Sequence, residues 1–246
     1  MQNGPPVNST FAIRNPKSPD FSRYDQKLEF ILRTAARIFA EKSYHSTSMR
    51  DISRATNVSL AGLYYYCRSK EELLFLIQDN CFGRVLERLD ERLCSQSNPV
   101  EKLQMFIENH LSFFAANMAE MKVLSHEADS LSGEMSKRVS GQKQQYTRRL
   151  RQILSEVQRT HGPEGAARKI DLTVPTYALF GMLNWIYNWY DPKGKIQVAQ
   201  LVDNMLRLFL TGFVTRTGDT TLVFGAPARS ERLSVWRGPD GSKFKS

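Results

Sequence analysis

Three helix-start signals crowd the stretch "SMRDISRATNVSLAGLYYYCRSKE", Ser48 to Glu71, and its next residue, Glu72. Ser48 followed by Asp51 resembles a capping box, Ser59 is a good N-cap, and Ser69 with Glu72 three residues on is a second capping box. Only short helices fit between starts this close. The first ends near Thr56, and Asn57 can take the left-handed backbone that a tight turn into the next helix requires. That next helix, Ser59 to about Cys67, carries Leu63 and Cys67 at i and i+4 as its inward contacts. Two short helices joined by a tight turn describe a helix-turn-helix.

Helical spacing continues on both sides. Leu28, Ile31, Leu32, Ala35, Ile38 and Phe39 predict a first amphipathic helix from Tyr24 to near Ser43. A long fourth helix follows Ser69 through Leu73, Ile77, Cys81, Val85 and Leu89 to Leu93, and Asn98, Pro99 and Glu101 start a fifth. Further helices are expected from Met118 to Asp129, from Glu134 to Thr160, and, after a break at Gly162 to Gly165, from an Asp171 cap. "DPKG" at 191–194 turns the chain into a ninth, Ile196 to Phe213. No strand alternation or internal repeat is found. The expected fold is all-α: a Pro-rich arm over 1–22, a helix-turn-helix domain over 23–70, a larger helical domain over 71–214, and a basic Gly/Pro/Ser tail over 215–246.

Composition removes several function classes. No apolar run reaches membrane-spanning length and the N-terminus lacks a signal-peptide layout, so a cytoplasmic protein without membrane contact is expected. The three cysteines form no CxxC pair. His45, His110, His126 and His161 are scattered, "HEAD" at 126–129 lacks the second histidine of HExxH, and no phosphate-cradling or nucleophile-elbow motif occurs. Neither an enzyme, a metal site nor a cofactor is indicated. His126 and Glu127 are read as helix-surface or pocket polar groups.

The net charge of +9 favours a polyanionic partner. Its excess is enriched where the short helices lie: Arg23 to Lys70 holds nine basic residues against four acidic ones. Leu60, Ala61 and Gly62 would let the third helix approach base edges closely, and Tyr64, Tyr65 and Tyr66 span roughly 100° steps, so at least one must leave the core. An exposed tyrosine hydroxyl suits a phosphate, as does Lys70 at a helix start.

This stretch closely resembles the helix-turn-helix signature of TetR-family transcriptional regulators, and helix count and length fit that family. The resemblance implies a homodimer that binds a palindromic double-stranded operator, most simply as a repressor, and releases it on binding an effector. By position it implies phosphate contacts from Ser48, Arg50 and Lys70 and recognition-helix roles for Ser59, Leu60, Ala61, Gly62, Tyr64, Tyr65 and Tyr66. Cys67 stands where an aromatic is usual, and Leu60 replaces a residue that is often polar.

In the larger domain, Phe113, Phe114, Met118, Met121, Leu124, Tyr177 and Phe180 could line a pocket for a hydrophobic effector, with Tyr146 and the polar Asn184 beside them. They serve equally as core or dimer interface. Between Lys137 and Arg151 six basic residues, Arg149 among them, occur without an acid, forming either a solvated face or a wall for an anionic ligand such as acyl-CoA. "VLSHEADSL" and "NWIYNWYDPKG" resemble segments of TetR-type regulators of fatty-acid and steroid degradation. A fatty acid, a non-CoA hydrophobic compound, and a non-sensing architectural DNA binder with a filled second domain stay open as alternatives.

Overall fold

The computed structural model describes residues 23–127, 129–161 and 171–214; the two expected arms and the break at Gly162 to Gly165 lie outside them. Among the described residues are nine α-helices and no strand: α1 (Arg23–Lys42), α2 (Met49–Thr56), α3 (Leu60–Tyr66), α4 (Lys70–Leu93), α5 (Pro99–Ala115), α6 (Met118–His126), α7 (Gly133–His161), α8 (Thr173–Asn184) and α9 (Val198–Val214). Trp185–Asn188 forms one 3-10 segment after α8.

The caps act much as their sequence suggests. Both halves of the Ser48/Asp51 box form, and Asn57 closes α2 in the left-handed conformation at φ 50°. Ser59 Oγ accepts the Gly62 N–H at 3.0 Å. A Cβ at Gly62 would stand 3.0 Å from Val58 Cγ1 and 3.1 Å from that capping oxygen, so glycine keeps the α3 start intact. Ser69 Oγ accepts the Glu72 N–H, but the Glu72 carboxylate reaches one residue beyond a simple box, to the Arg68 N–H. Asn98 Oδ1 takes the N–H groups of Val100 and Glu101.

Three boundaries differ from the sequence expectation. Helix α6 stops at His126, because Glu127 is drawn into a buried position in which its carboxylate bonds elsewhere. Asp171 accepts the Thr173 N–H at 2.8 Å from one residue before the N-cap position, which Leu172 occupies. Helix α8 ends at Asn184 and tightens into the 3-10 segment, since Pro192 bars the helical conformation at Asp191 and the chain must turn there.

Helix α4 is the axis of the assembly. It packs on α1 of the head and on α5, α6 and α7 beyond. From Glu72 to Asp79 every residue is buried, so its polar members need partners. Gln78 Nε2 donates to Glu127 O at 3.1 Å, and Asp79 holds Arg138 through two bonds of 2.6 and 2.9 Å. The core runs without a gap from Ile31, Ile52 and Leu63 through Leu73, Leu76 and Leu89 to Phe106, Leu154 and Leu183. Cys67 and Cys81 are buried in it, and burial, with Glu72 nearby, pushes the Cys67 thiol up to about 11, which keeps it protonated and inert.

The left-handed residue at the α2–α3 turn gives a direct test. Asn57→Gly should leave stability within about 0.5 kcal/mol, whereas Asn57→Val should cost roughly 1–2 kcal/mol in urea unfolding, because a β-branched side chain opposes that backbone.

Candidate nucleic-acid interface and ligand cavity

The tyrosine triplet divides its labour. Tyr64 and Tyr65 are 47% and 69% exposed, while Tyr66 is half-buried and stacks on Tyr24 of α1 at 4.9 Å between ring centroids. Tyr65 meets both of those rings edge-on, at 5.9 and 5.2 Å. One tyrosine thus holds α3 to α1, a second is steadied by that stack, and the third projects alone. Leu63, just before them, is fully buried. Ser59 and Ala61 are exposed, Leu60 and Gly62 half-exposed, so the start of α3 is free to meet a partner.

On α2, Arg50 and Arg54 are both exposed, Arg54 lying 3.7 Å from Asp51. Ser48 is exposed, but its hydroxyl is engaged with Asp51 in the cap. Lys70 is more committed than a solvated lysine. Its Nζ donates to the carbonyls of Tyr44 and Thr47 at 3.0 and 2.9 Å and lies 4.4 Å from the Tyr44 ring centroid. An ammonium has three N–H groups, so one is left for a further acceptor.

The larger domain contains a cavity of about 860 Å³. Phe82, His110, Phe114, Met121, Leu124 and Tyr146 form its buried floor, and Lys143, Arg148 and Arg151 stand exposed at its rim with Tyr177, Asn184 and Trp185. Of the residues anticipated from sequence, Phe114, Met121, Leu124, Tyr146, Tyr177, Phe180 and Asn184 line it. Phe113, Met118 and Arg149 do not. Phe113, one residue round the helix from Phe114, faces Leu32 and Arg33 of α1 instead. Met118 packs against the core. Arg149 is bound to Asp90 of α4 by two bonds of 2.9 and 3.1 Å.

Helical phase explains how the basic run splits. Arg138 and Arg149, three turns apart, face α4 and pair with Asp79 and Asp90, and Lys137 pairs with Glu134. Lys143 and Arg151 share a face with Thr147, as Arg148 does with Ser140 and Gln144, and all six line the cavity. No ion pair involves Lys143, Arg148 or Arg151 among the described residues. Counting turns on α7 would have separated the two sets; the acidic partners on α4 supply the phase.

His110 went unrecognised because a lone histidine in an apolar helix carries no motif. It is fully enclosed, its ring 4.7 Å from Phe114 and its Nδ1 3.3 Å from the Tyr146 hydroxyl. Burial pulls its pKa down to about 3, only partly offset by the Asn184 amide, so the imidazole is neutral at pH 7. Burial likewise raises the Tyr146 phenol.

Glu127 is also not a surface group. Its carboxylate accepts the Tyr44 N–H at 3.1 Å and the Ser130 hydroxyl at 2.9 Å, joining the end of α6 to the α1–α2 connection. Glu71, nearby on α4, accepts the Ser132 N–H and hydroxyl at 2.8 and 2.7 Å. His126, by contrast, is exposed and meets Tyr187 edge-on at 5.5 Å.

Comparison with known proteins agrees with both halves. Residues 31–77 match the family model described as bacterial regulatory proteins, tetR family, and residues 96–213 match the tetracyclin repressor-like C-terminal domain. The chain is 24% identical over 184 residues to the fatty acid metabolism regulator protein of Bacillus subtilis, covering 74% of this chain and 93% of that protein. It is 24% identical over 191 residues to the transcriptional repressor KstR2 of Mycobacterium tuberculosis, covering 76% and 92%. The crystal structure of AibR in complex with isovaleryl coenzyme A and operator DNA aligns with a TM-score of 0.64 at 30% identity, over 74% of this chain and 97% of that one. The proteins matched are transcriptional regulators, not enzymes.

The neutral, buried His110 makes stability depend on pH. The unfolded chain takes up a proton there near pH 6.5 and the folded one only near 3, so the stability is complete above about pH 6.5 and is lost as pH falls toward 3. Relative to His110→Phe, the wild type should lose up to about 1 kcal/mol per pH unit between pH 6 and 4 in urea titrations. Identical pH profiles would contradict the buried neutral state.

Proposed function

Because the chain belongs to the TetR family of bacterial transcriptional regulators, we propose that it is a cytoplasmic homodimeric repressor that binds a palindromic operator and leaves it when an acyl-CoA fills the cavity. The observation that carries the effector class is the cavity's polarity. An apolar floor suits an acyl group, and three cations at the rim suit the phosphates of coenzyme A. The AibR complex with isovaleryl coenzyme A supports the same class. A cavity of this size also argues against a non-sensing architectural protein with a filled second domain. Among the described residues no helix is long and apolar enough to cross a membrane.

On the DNA side, the free start of α3 would enter the major groove, with Tyr64 and Tyr65 donating to flanking phosphates, Arg50 beside them and the spare N–H of Lys70 behind. Two heads imply a dimer face. The large apolar side chains Trp185, Trp189 and Leu208 are exposed on the 3-10 segment, just beyond it and on α9, and a second copy would cover them.

Helix α6 is suited to connect the two sites. Met121, Leu124 and Ser125 line the cavity, and the next turn ends at Glu127, bonded to Tyr44 of the head. The carbonyls of Tyr44 and Thr47 in turn hold Lys70. A ligand that displaces α6 would therefore reorient the α1–α2 connection, and with it α3.

Two outcomes test the proposal. In fluorescence anisotropy with an operator duplex selected from random DNA, Tyr64→Ala and Tyr65→Ala should each weaken binding about tenfold, Tyr64→Ala without lowering the melting temperature and Tyr65→Ala lowering it less than Tyr66→Ala. Operator affinity unchanged in both exposed variants would remove α3 as the reader. Exchanging Lys143, Arg148 and Arg151 together for Ala should weaken octanoyl-CoA binding by more than tenfold in calorimetry and spare octanoate; equal effects on both ligands would reject the phosphate role.

A further inference from the structure

Resting on the assignment of this cavity as the effector site, we infer that His110 reads a carbonyl oxygen carried by the apolar part of the ligand. Its imidazole lines the cavity and is 2% exposed, and its Nε2 is covered with no protein atom in hydrogen-bonding geometry, the nearby Asn184 amide included. The other nitrogen is fixed by the Tyr146 hydroxyl at 3.3 Å. The phenol has a single hydrogen. With that hydrogen directed at Nδ1, the imidazole hydrogen sits on Nε2, a covered donor in the cavity wall.

The surroundings make this donor expensive to ignore. Rings of Phe114, Tyr146 and Phe180 lie 4.7, 6.0 and 6.2 Å from the His110 ring, and the neighbouring floor is Phe82, Met121 and Leu124. In the free protein the Nε2 hydrogen is already covered and unpaired. A bound hydrocarbon would leave it so, whereas an oxygen acceptor brought against it would recover the missing hydrogen bond. A plain alkyl group is thus the wrong occupant for this position, and an acyl group with an oxygen acceptor is the right one. Two sources present that chemistry: the thioester carbonyl itself, or a ketone farther along the carbon skeleton.

The experiment is a calorimetric titration of the full-length protein with three coenzyme A derivatives of equal chain length. These are octanoyl-CoA, the thioether S-octyl-CoA, which lacks the oxygen, and S-(3-oxooctyl)-CoA, whose ketone stands away from the sulfur. Wild type should prefer at least one carbonyl-bearing ligand over S-octyl-CoA by about tenfold, and which one is preferred identifies the source. His110→Leu should erase the preference, and His110→Gln, which keeps a donor, should retain part of it. If wild type binds all three alike, or His110→Leu keeps the preference, the inference is overturned while the effector assignment survives. Failure of wild type to bind any of the three overturns both. The wild-type comparison needs no variant, so misfolding of His110→Leu cannot hide the result.

Discussion

Everything else in this structure depends on satisfying the polar groups of a helix that is buried on all sides. The first half of α4 lies between the DNA-binding head and the larger domain, and no face of it from Glu72 to Asp79 meets solvent. Apolar residues there need only volume, but Glu72, Gln78 and Asp79 need partners of defined geometry. Each takes one from a different neighbour: the Arg68 N–H, the Glu127 carbonyl and the Arg138 guanidinium. These bonds set the turn before α4, the end of α6 and the phase of α7 at once. Removing Arg138 would strand Asp79 in the core, a cost typical of broken buried pairs.

Once α7 is phased by Asp79 and Asp90, three of its other cations fall on the face that lines the cavity. Lys143, Arg148 and Arg151 are turned to the cavity mouth because Arg138 and Arg149 are held against α4. An electrostatic feature of the ligand site is therefore a by-product of ion pairs made on another face of the same helix. The same economy appears at the end of α6, where one side chain both terminates a cavity-lining helix and grips the head. Glu127 ends the helix early because its carboxylate is worth more on the Tyr44 N–H than in solvent. A cavity, a helix and a head connection thereby share a single mechanical element.

Local chemistry wrote much of this into the chain. Ser48, Asn57, Ser59, Ser69 and Asn98 act within four residues of themselves, so caps and turns are readable without any tertiary knowledge, and the nine helices followed from them and from 3.6-residue spacing. Six cavity residues were likewise legible as apolar or aromatic positions on the right helices, and Asn184 as the polar group beside them. Phe113 and Phe114 show where this stops. Adjacent on α5, both are apolar and both are buried, yet only one meets the cavity, because 100° of rotation separates them.

The sequence by itself determined the helices, their order, the helix-turn-helix and the surplus of positive charge, since each arises from interactions within a few residues or from composition. Tertiary structure alone decided which tyrosine stacks on Tyr24 and which stay free, which cations are spent on Asp79 and Asp90, and why His110 is neutral with one nitrogen unpaired. Those properties depend on partners tens of residues distant. A side chain's charge state and availability are set by what packs against it, and no periodicity in the chain records that.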